Sequence, residues 1–186
     1  MMKQKKAAME MSVGTIVVIV LAVTMLILGL VLIKSIFSSG QNIVQMTDEQ
    51  LKEEINKLFS EDYKLAIYPS TRRIDIKQDE LNGVGVIIKN LLPGSAGDKK
   101  FSYVVKVSDL DIKEKCGISE EEAESWITTG REEENIPITS GDSSAQKVLF
   151  NIPAGSPLCT IRYRVNVEAD GDSYATDFFD VTVNAK

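Results

Sequence analysis

The chain has 186 residues, a net charge of −6 and no histidine. That acidic balance argues against a nucleic-acid partner, because phosphate binding needs a basic face. The missing histidine removes the commonest general base and the commonest metal ligand, and the length fits one anchor plus one domain of ordinary size.

Residues 1–10 carry Lys3, Lys5 and Lys6 against Glu10, a net of +2, so the remainder sums to −8. From Met11 to Ile33 no residue is charged. Its core, Val13 to Ile33, is almost purely apolar and at 1.5 Å per residue makes a helix of roughly 30 Å, enough to cross the hydrocarbon of a bilayer. A secretory signal has an apolar core of only about 7–15 residues, and no A-x-A cleavage site follows the run here. The spacing therefore predicts a basic leader over 1–10 and a retained transmembrane helix over 11–34 in contact with lipid. Three lysines precede the span and only Lys34 closes it, which places the N-terminus in the cytoplasm and the bulk of the chain outside. Glu10 reads in two ways: a solvated first-turn carboxylate, or a partner for the positive start of a neighbouring subunit. Thr15, Ala22 and Gly29 recur every seven residues on nearly one stripe. Small residues so placed permit close helix–helix approach, making them candidates for self-association.

A lysine-rich leader, small residues, a glutamate and about twenty apolar residues resemble the N-terminus of an archaeal type IV pilin or pilin-like protein. The matching positions are Lys5 and Lys6, Ala7 and Ala8, and Glu10. The resemblance implies leader processing beside Ala7 or Ala8, with the intact helix first holding the subunit in the membrane and then bundling in a filament. Glu10 falls second or third after such a cut, whereas the bacterial-type pattern places it fifth. The combination MEMSVGTIV also resembles archaeal surface proteins with one N-terminal span and a β domain, as do KCGISEEEAESW and IPAGSPLCTIRYRV further along. That second resemblance implies no activity.

Residues 35–62 are expected to form a linker and an amphipathic helix. SSGQN, 38–42, is a polar, Gly-containing break. In MTDEQLKEEINKLFSED, Thr47 and Gln50 make a capping box, and Met46 is placed to pack on Leu51 as a hydrophobic staple. Asp48 and Glu49 suit the positive end of the helix dipole. Leu51, Ile55, Leu58 and Phe59 give one apolar face. Docking of that face on the following domain is the expected role; a partner-binding helix is the alternative.

From 63 to 186 short runs of period-two alternation take over, broken by Gly, Pro, Asn and Asp. Strands are expected at 65–69, 72–78, 83–91, 101–107, 147–153, 159–169 and 174–185. Asp170-Gly171 is a hairpin signal, because a type I′ turn needs positive φ. Seven strands in such a length predict an immunoglobulin-like or fibronectin-III-like antiparallel β-sandwich. Tyr163 is a candidate for a tyrosine corner or an ordinary buried tyrosine. ISEEEAESWITTG, 118–130, opens with a second capping box, Ser119 with Glu122, and predicts a short helix that turns Ala123, Trp126 and Ile127 to the core. Trp126 reads as a core plug. Cys116 and Cys159 are an even count in a domain expected outside the cytoplasm, which predicts one disulfide; two buried thiols are the alternative.

Catalytic constellations are scarce. GVGV, 83–86, reads as a strand start rather than a phosphate cradle. Glu120–Glu122 and Glu132–Glu134 read as solvated runs. Asp109 with Asp111, and Asp170 with Asp172, offer oxygens to calcium, but each pair falls in a turn where aspartate serves the backbone, and too few ligands converge. No enzyme, cofactor or metal is expected. The expected function is a membrane-anchored extracytoplasmic structural protein, pilin-like in its specific form. The alternative is a monomeric anchored Ig-like module that binds a protein or glycan.

Overall fold

The computed structural model describes residues 3–38, 43–58, 63–94 and 99–186, with side chains described for all of these except 3–13, 33–38 and 55–58. The chain divides into two compact units, Met1–Gln41 and Asn42–Lys186.

The first unit contains helix α1, Lys3–Ser38, which continues beyond both ends of the expected span. Its stretch Gly14–Leu32 is long and apolar enough to cross a membrane, and none of it is buried.

The second unit is a β-sandwich. Its first sheet has the order β1 (Leu65–Tyr68), β3 (Leu81–Lys89), β7 (Ser143–Asn151), β5 (Ile127–Thr129). The second has the order β2 (Arg73–Lys77), β9 (Asp172–Asn184), β8 (Thr160–Ala169), β4 (Lys99–Val107), β6 (Glu132–Ile138). This is an immunoglobulin-like sandwich arrangement. The inward residues expected from alternation are buried: Ile74, Ile76, Val84, Val86, Ile88, Phe101, Tyr103, Val105, Val148, Phe150, Ile161, Tyr163, Val165, Phe179 and Val181. Tyr163 stacks on Phe179 at 5.6 Å between ring centres and meets Phe150 edge-on at 5.0 Å, the geometries that aromatic quadrupoles favour.

One pairing departs from the expected antiparallel plan. β2 runs parallel to β9, with Ile74 opposite Val181 and Ile76 opposite Val183. Between β1 in the first sheet and β2 in the second lies a turn in which the Arg72 amide donates to the Pro69 carbonyl at 2.8 Å. Two strands escaped the sequence reading. β5 has only three residues. β6 is an edge strand whose glutamates face solvent, so only Ile136 and Ile138 show alternation. The expected helix at 118–130 is shorter than its signal: α4 covers Glu120–Ser125. It stops because the Trp126 carbonyl accepts a 2.9 Å bond from the Asn151 amide and draws the chain into β5. Ser119 caps it through the Glu122 amide at 3.1 Å, and Ala123, Trp126 and Ile127 are buried as expected. A further short helix, α3 (Ile112–Cys116), precedes it. The β8–β9 turn has φ of +50° at Asp170 and +89° at Gly171, the conformation the Asp-Gly signal requires.

The connector belongs to this unit. Helix α2, Asp48–Leu58, begins at the expected box. The Gln50 amide donates to Thr47 Oγ1 at 3.2 Å, and the Thr47 amide donates to Gln50 Oε1 at 2.9 Å. Leu51 and Ile43 are buried against Ala66, Tyr68 and Ile87 on the outer side of the first sheet, with Met46 beside them. β3 is thus covered on both faces. Gly85 makes room: a Cβ there would lie 2.5 Å from Leu51 Cδ1. Lys52 donates to the Ser143 carbonyl at 3.0 Å, and Lys147 donates to the Met46 carbonyl and pairs with Asp48 at 3.5 Å. Ile55 and Leu58, also expected on this face, lie within α2 but outside the described side chains, and Phe59 lies outside the described residues.

Candidate functional site

Cys116 and Cys159 form the expected disulfide, with Cα atoms 5.7 Å apart. It ties the end of α3 to the residue that leads into β8. Around it lies an open depression of about 450 Å³ lined by Ser108, Asp109, Lys115, Thr160, Arg162 and Asp180. The β8–β9 register sets Arg162 directly opposite Asp180. The guanidinium donates from Nε to Oδ1 at 2.8 Å and from Nη2 to Oδ2 at 3.1 Å, a bidentate pair. Arg73 of β2 adds a contact to Asp180 at 3.7 Å. Lys115 donates to Asp109 Oδ1 at 2.9 Å.

The protonation equilibria follow from these contacts. The hydrogen bond from Arg162, aided by the charges of Arg162 and Arg73, holds the Asp180 carboxyl below the usual carboxylate range against the effect of burial. The bond to Asp109 raises the Lys115 ammonium. Bonds from Lys99 and from the Lys100 amide lower Asp170. Burial raises the Tyr163 and Tyr103 hydroxyls, with lesser contributions from Glu124 and Glu133. Both therefore remain donors, to the Ala123 carbonyl at 2.9 Å and the Gly130 carbonyl at 3.1 Å. The Tyr163 bond spans 40 residues, so Tyr163 locks α4 to the core rather than forming a tyrosine corner.

A carboxylate whose pKa is depressed on folding stabilises the folded state above its unfolded pKa, and that contribution is lost as pH falls through the folded value. Asp180→Asn therefore lowers the thermal midpoint at neutral pH. The gap from wild type closes as pH is taken below the ordinary carboxylate range of about 4. A gap that stays constant down to about pH 2 would show that the Asp180 charge contributes nothing.

Of the paired aspartates considered for calcium, Asp109 serves its own turn and Asp170 is engaged by β4. Asp109 Oδ1 accepts from Lys115 and from the Asp111 amide. Asp170 accepts from Lys99 at 2.6 Å and from the Lys100 amide at 3.1 Å. Among the described residues no group of three or more cysteines or carboxylates converges as a metal site would require.

The outer face of the second sheet carries a different arrangement. Register places Lys106 of β4 beside Arg164 of β8, and Arg164 beside Phe178 of β9. Phe178 is 41% exposed, although its neighbour Phe179 is fully inward. Arg164 Nε is buried without a hydrogen-bond partner. Alternation announced that these side chains point outward; nothing in the sequence announced that Arg164 and Lys106 lie side by side without a carboxylate between them.

The N-terminal candidates all lie on α1. Thr15 and Ala22 are exposed, and a Cβ placed at Gly29 meets nothing within 4 Å. Ala7, Ala8 and Glu10 fall within the helix, and their side chains lie outside those described.

No family model matches the chain, and no curated protein matches it. Solved structures match in part. A Niemann-Pick type C2 protein from the Japanese carpenter ant is 13% identical over 66% of this chain and 90% of its own, with a TM-score of 0.40. The periplasmic chaperone SfaE is 8% identical over 66% of this chain and 57% of its own, at 0.39. A PapD-like domain of human CEP192 is 11% identical over 69% of this chain and 89% of its own, at 0.33. Likeness at this level says nothing of ligand, partner or activity.

Proposed function

We propose that this chain is a single-pass surface protein with a structural role. In this reading α1 stays in the bilayer with its N-terminus in the cytoplasm, and the sandwich stands outside the cell. Copies associate through α1 in the manner of a pilin-like subunit. The observation that carries the reading is the apolar stretch Gly14–Leu32, unburied along its whole length and joined in sequence to a disulfide-closed sandwich. Apolar surface of that extent calls for lipid or other helices, and disulfides persist in oxidising compartments. Charge asymmetry about the span supports the orientation. The open stripe Thr15, Ala22, Gly29 supports helix packing. In this reading the role is non-catalytic, and in the depression beside the disulfide Asp109 and Asp180 are engaged by Lys115 and Arg162.

Carbonate extraction of native membranes, followed by intact-mass measurement, tests this. The protein is expected to remain in the membrane fraction until detergent is added. A mature start beside Ala7 or Ala8 supports the pilin-like route. An intact start together with a monomer in detergent supports the anchored binding module instead. Recovery of the chain in the aqueous fraction, or cleavage beyond Ile33, overturns the anchored reading.

A further inference from the structure

We propose that the sandwich domains of successive copies bind face to back, with the carboxylates on the exposed side of α2 in one copy meeting Lys106 and Arg164 on the second sheet of the next. This rests on the self-associating reading above and adds a contact outside the membrane helix.

One outer surface of the sandwich carries the acidic helix α2, and the other carries two cations side by side, Lys106 and Arg164. α2 covers the first sheet and turns Asp48, Glu49 and Glu53 to solvent. On the opposite surface Asp180 is already engaged by Arg162 and Arg73. In the row Lys106–Arg164–Phe178 neither cation stands directly opposite a carboxylate; Glu132 and Glu168 share this face but sit opposite Val104 and Ser102. Arg164 keeps an undonated Nε, which is unusual for a covered polar atom.

Spacing matches as well as sign. Glu49 and Glu53 stand one helical turn apart, with Cβ atoms separated by about 5–6 Å. Lys106 and Arg164 are directly opposite on adjacent strands, with Cβ atoms about 4.5–5.5 Å apart. Each pair repels itself in the free chain, and bringing the two together relieves both repulsions. Phe178 adds an apolar surface beside the cations. The chain carries both halves of the contact on opposite sides, so each bound copy still offers one free face and one free back. A heterologous contact of this kind propagates into a row rather than closing as a dimer.

The test uses the full-length chain in detergent micelles, followed by sedimentation velocity at low and high ionic strength. Wild type is expected to associate more strongly at low salt. E49K/E53K and K106E/R164E are each expected to weaken association about tenfold. Mixing the two variants is expected to restore it, because every face then meets a back of opposite charge. Phe178→Ser, at an exposed site, should weaken association without altering unfolding. If wild type associates but neither charge variant changes it, the face-to-back contact is wrong and association through α1 stands. If wild type is monomeric throughout, both readings fall. Loss with K106E/R164E but not with E49K/E53K assigns the face to a different acidic partner and overturns the proposal.

Discussion

Replacing Cys116 and Cys159 together by alanine is expected to lower the unfolding free energy of the sandwich by about 4 kcal/mol. The bond closes a loop between residues 43 apart in sequence, which removes a large set of open conformations from the unfolded chain. That loop contains α4, β5, β6 and β7, including one edge strand of each sheet. Without the bond these edges must be held by pairing and burial alone. Denaturant unfolding of the double variant and of the oxidised wild type measures the difference. The slope with denaturant should also rise, because the uncrosslinked chain exposes more surface. A loss below about 1 kcal/mol would mean that the unfolded ensemble is already restricted by other means.

Leu51→Ala is expected to cost about 3 kcal/mol, because Leu51 is fully buried between α2 and the first sheet and its removal leaves a cavity. Gly85→Ala is expected to cost about 1–2 kcal/mol for the opposite reason, overpacking. The added methyl would sit 2.5 Å from Leu51 Cδ1 and 2.8 Å from Cδ2, and 3.1 Å from Ile43 Cδ1. The double variant is the decisive measurement. The methyl at 85 enters the space vacated at 51, so the combined loss should fall short of the sum by about 1 kcal/mol. Strict additivity would show that α2 is not keyed to Gly85. Hydrogen exchange should show the Leu51→Ala loss first in α2 and the outer side of β3. A uniform loss over the whole sandwich would instead make the connector part of the global folding unit.

The outer face proposed above illustrates how site information was divided between sequence and structure. Arg162 and Arg164 were legible as outward residues of one strand, because alternation fixes the face on which a side chain lies. Their partners were not legible. Register decides that Arg162 faces Asp180 and that Arg164 faces Phe178 and Lys106. A shift of one residue would exchange those environments entirely. The acidic run at 132–134 shows the same limit. Its composition reads as solvated surface, which it is, yet the backbone beneath it is the edge strand β6.

Sequence alone determined the properties that depend on local composition and period: an apolar helix at the start, a capped amphipathic connector, a β-sandwich rich in alternating strands, and a hairpin at Asp170-Gly171. These follow from propensity and patterning, which act over a few neighbouring residues. The tertiary structure decided which residues meet across long separations. It set β2 parallel to β9, seated Leu51 over Gly85 and left the buried Arg164 Nε without a hydrogen-bond partner. Such pairings are chosen by the simultaneous burial of several apolar faces, and no short window of sequence contains that competition.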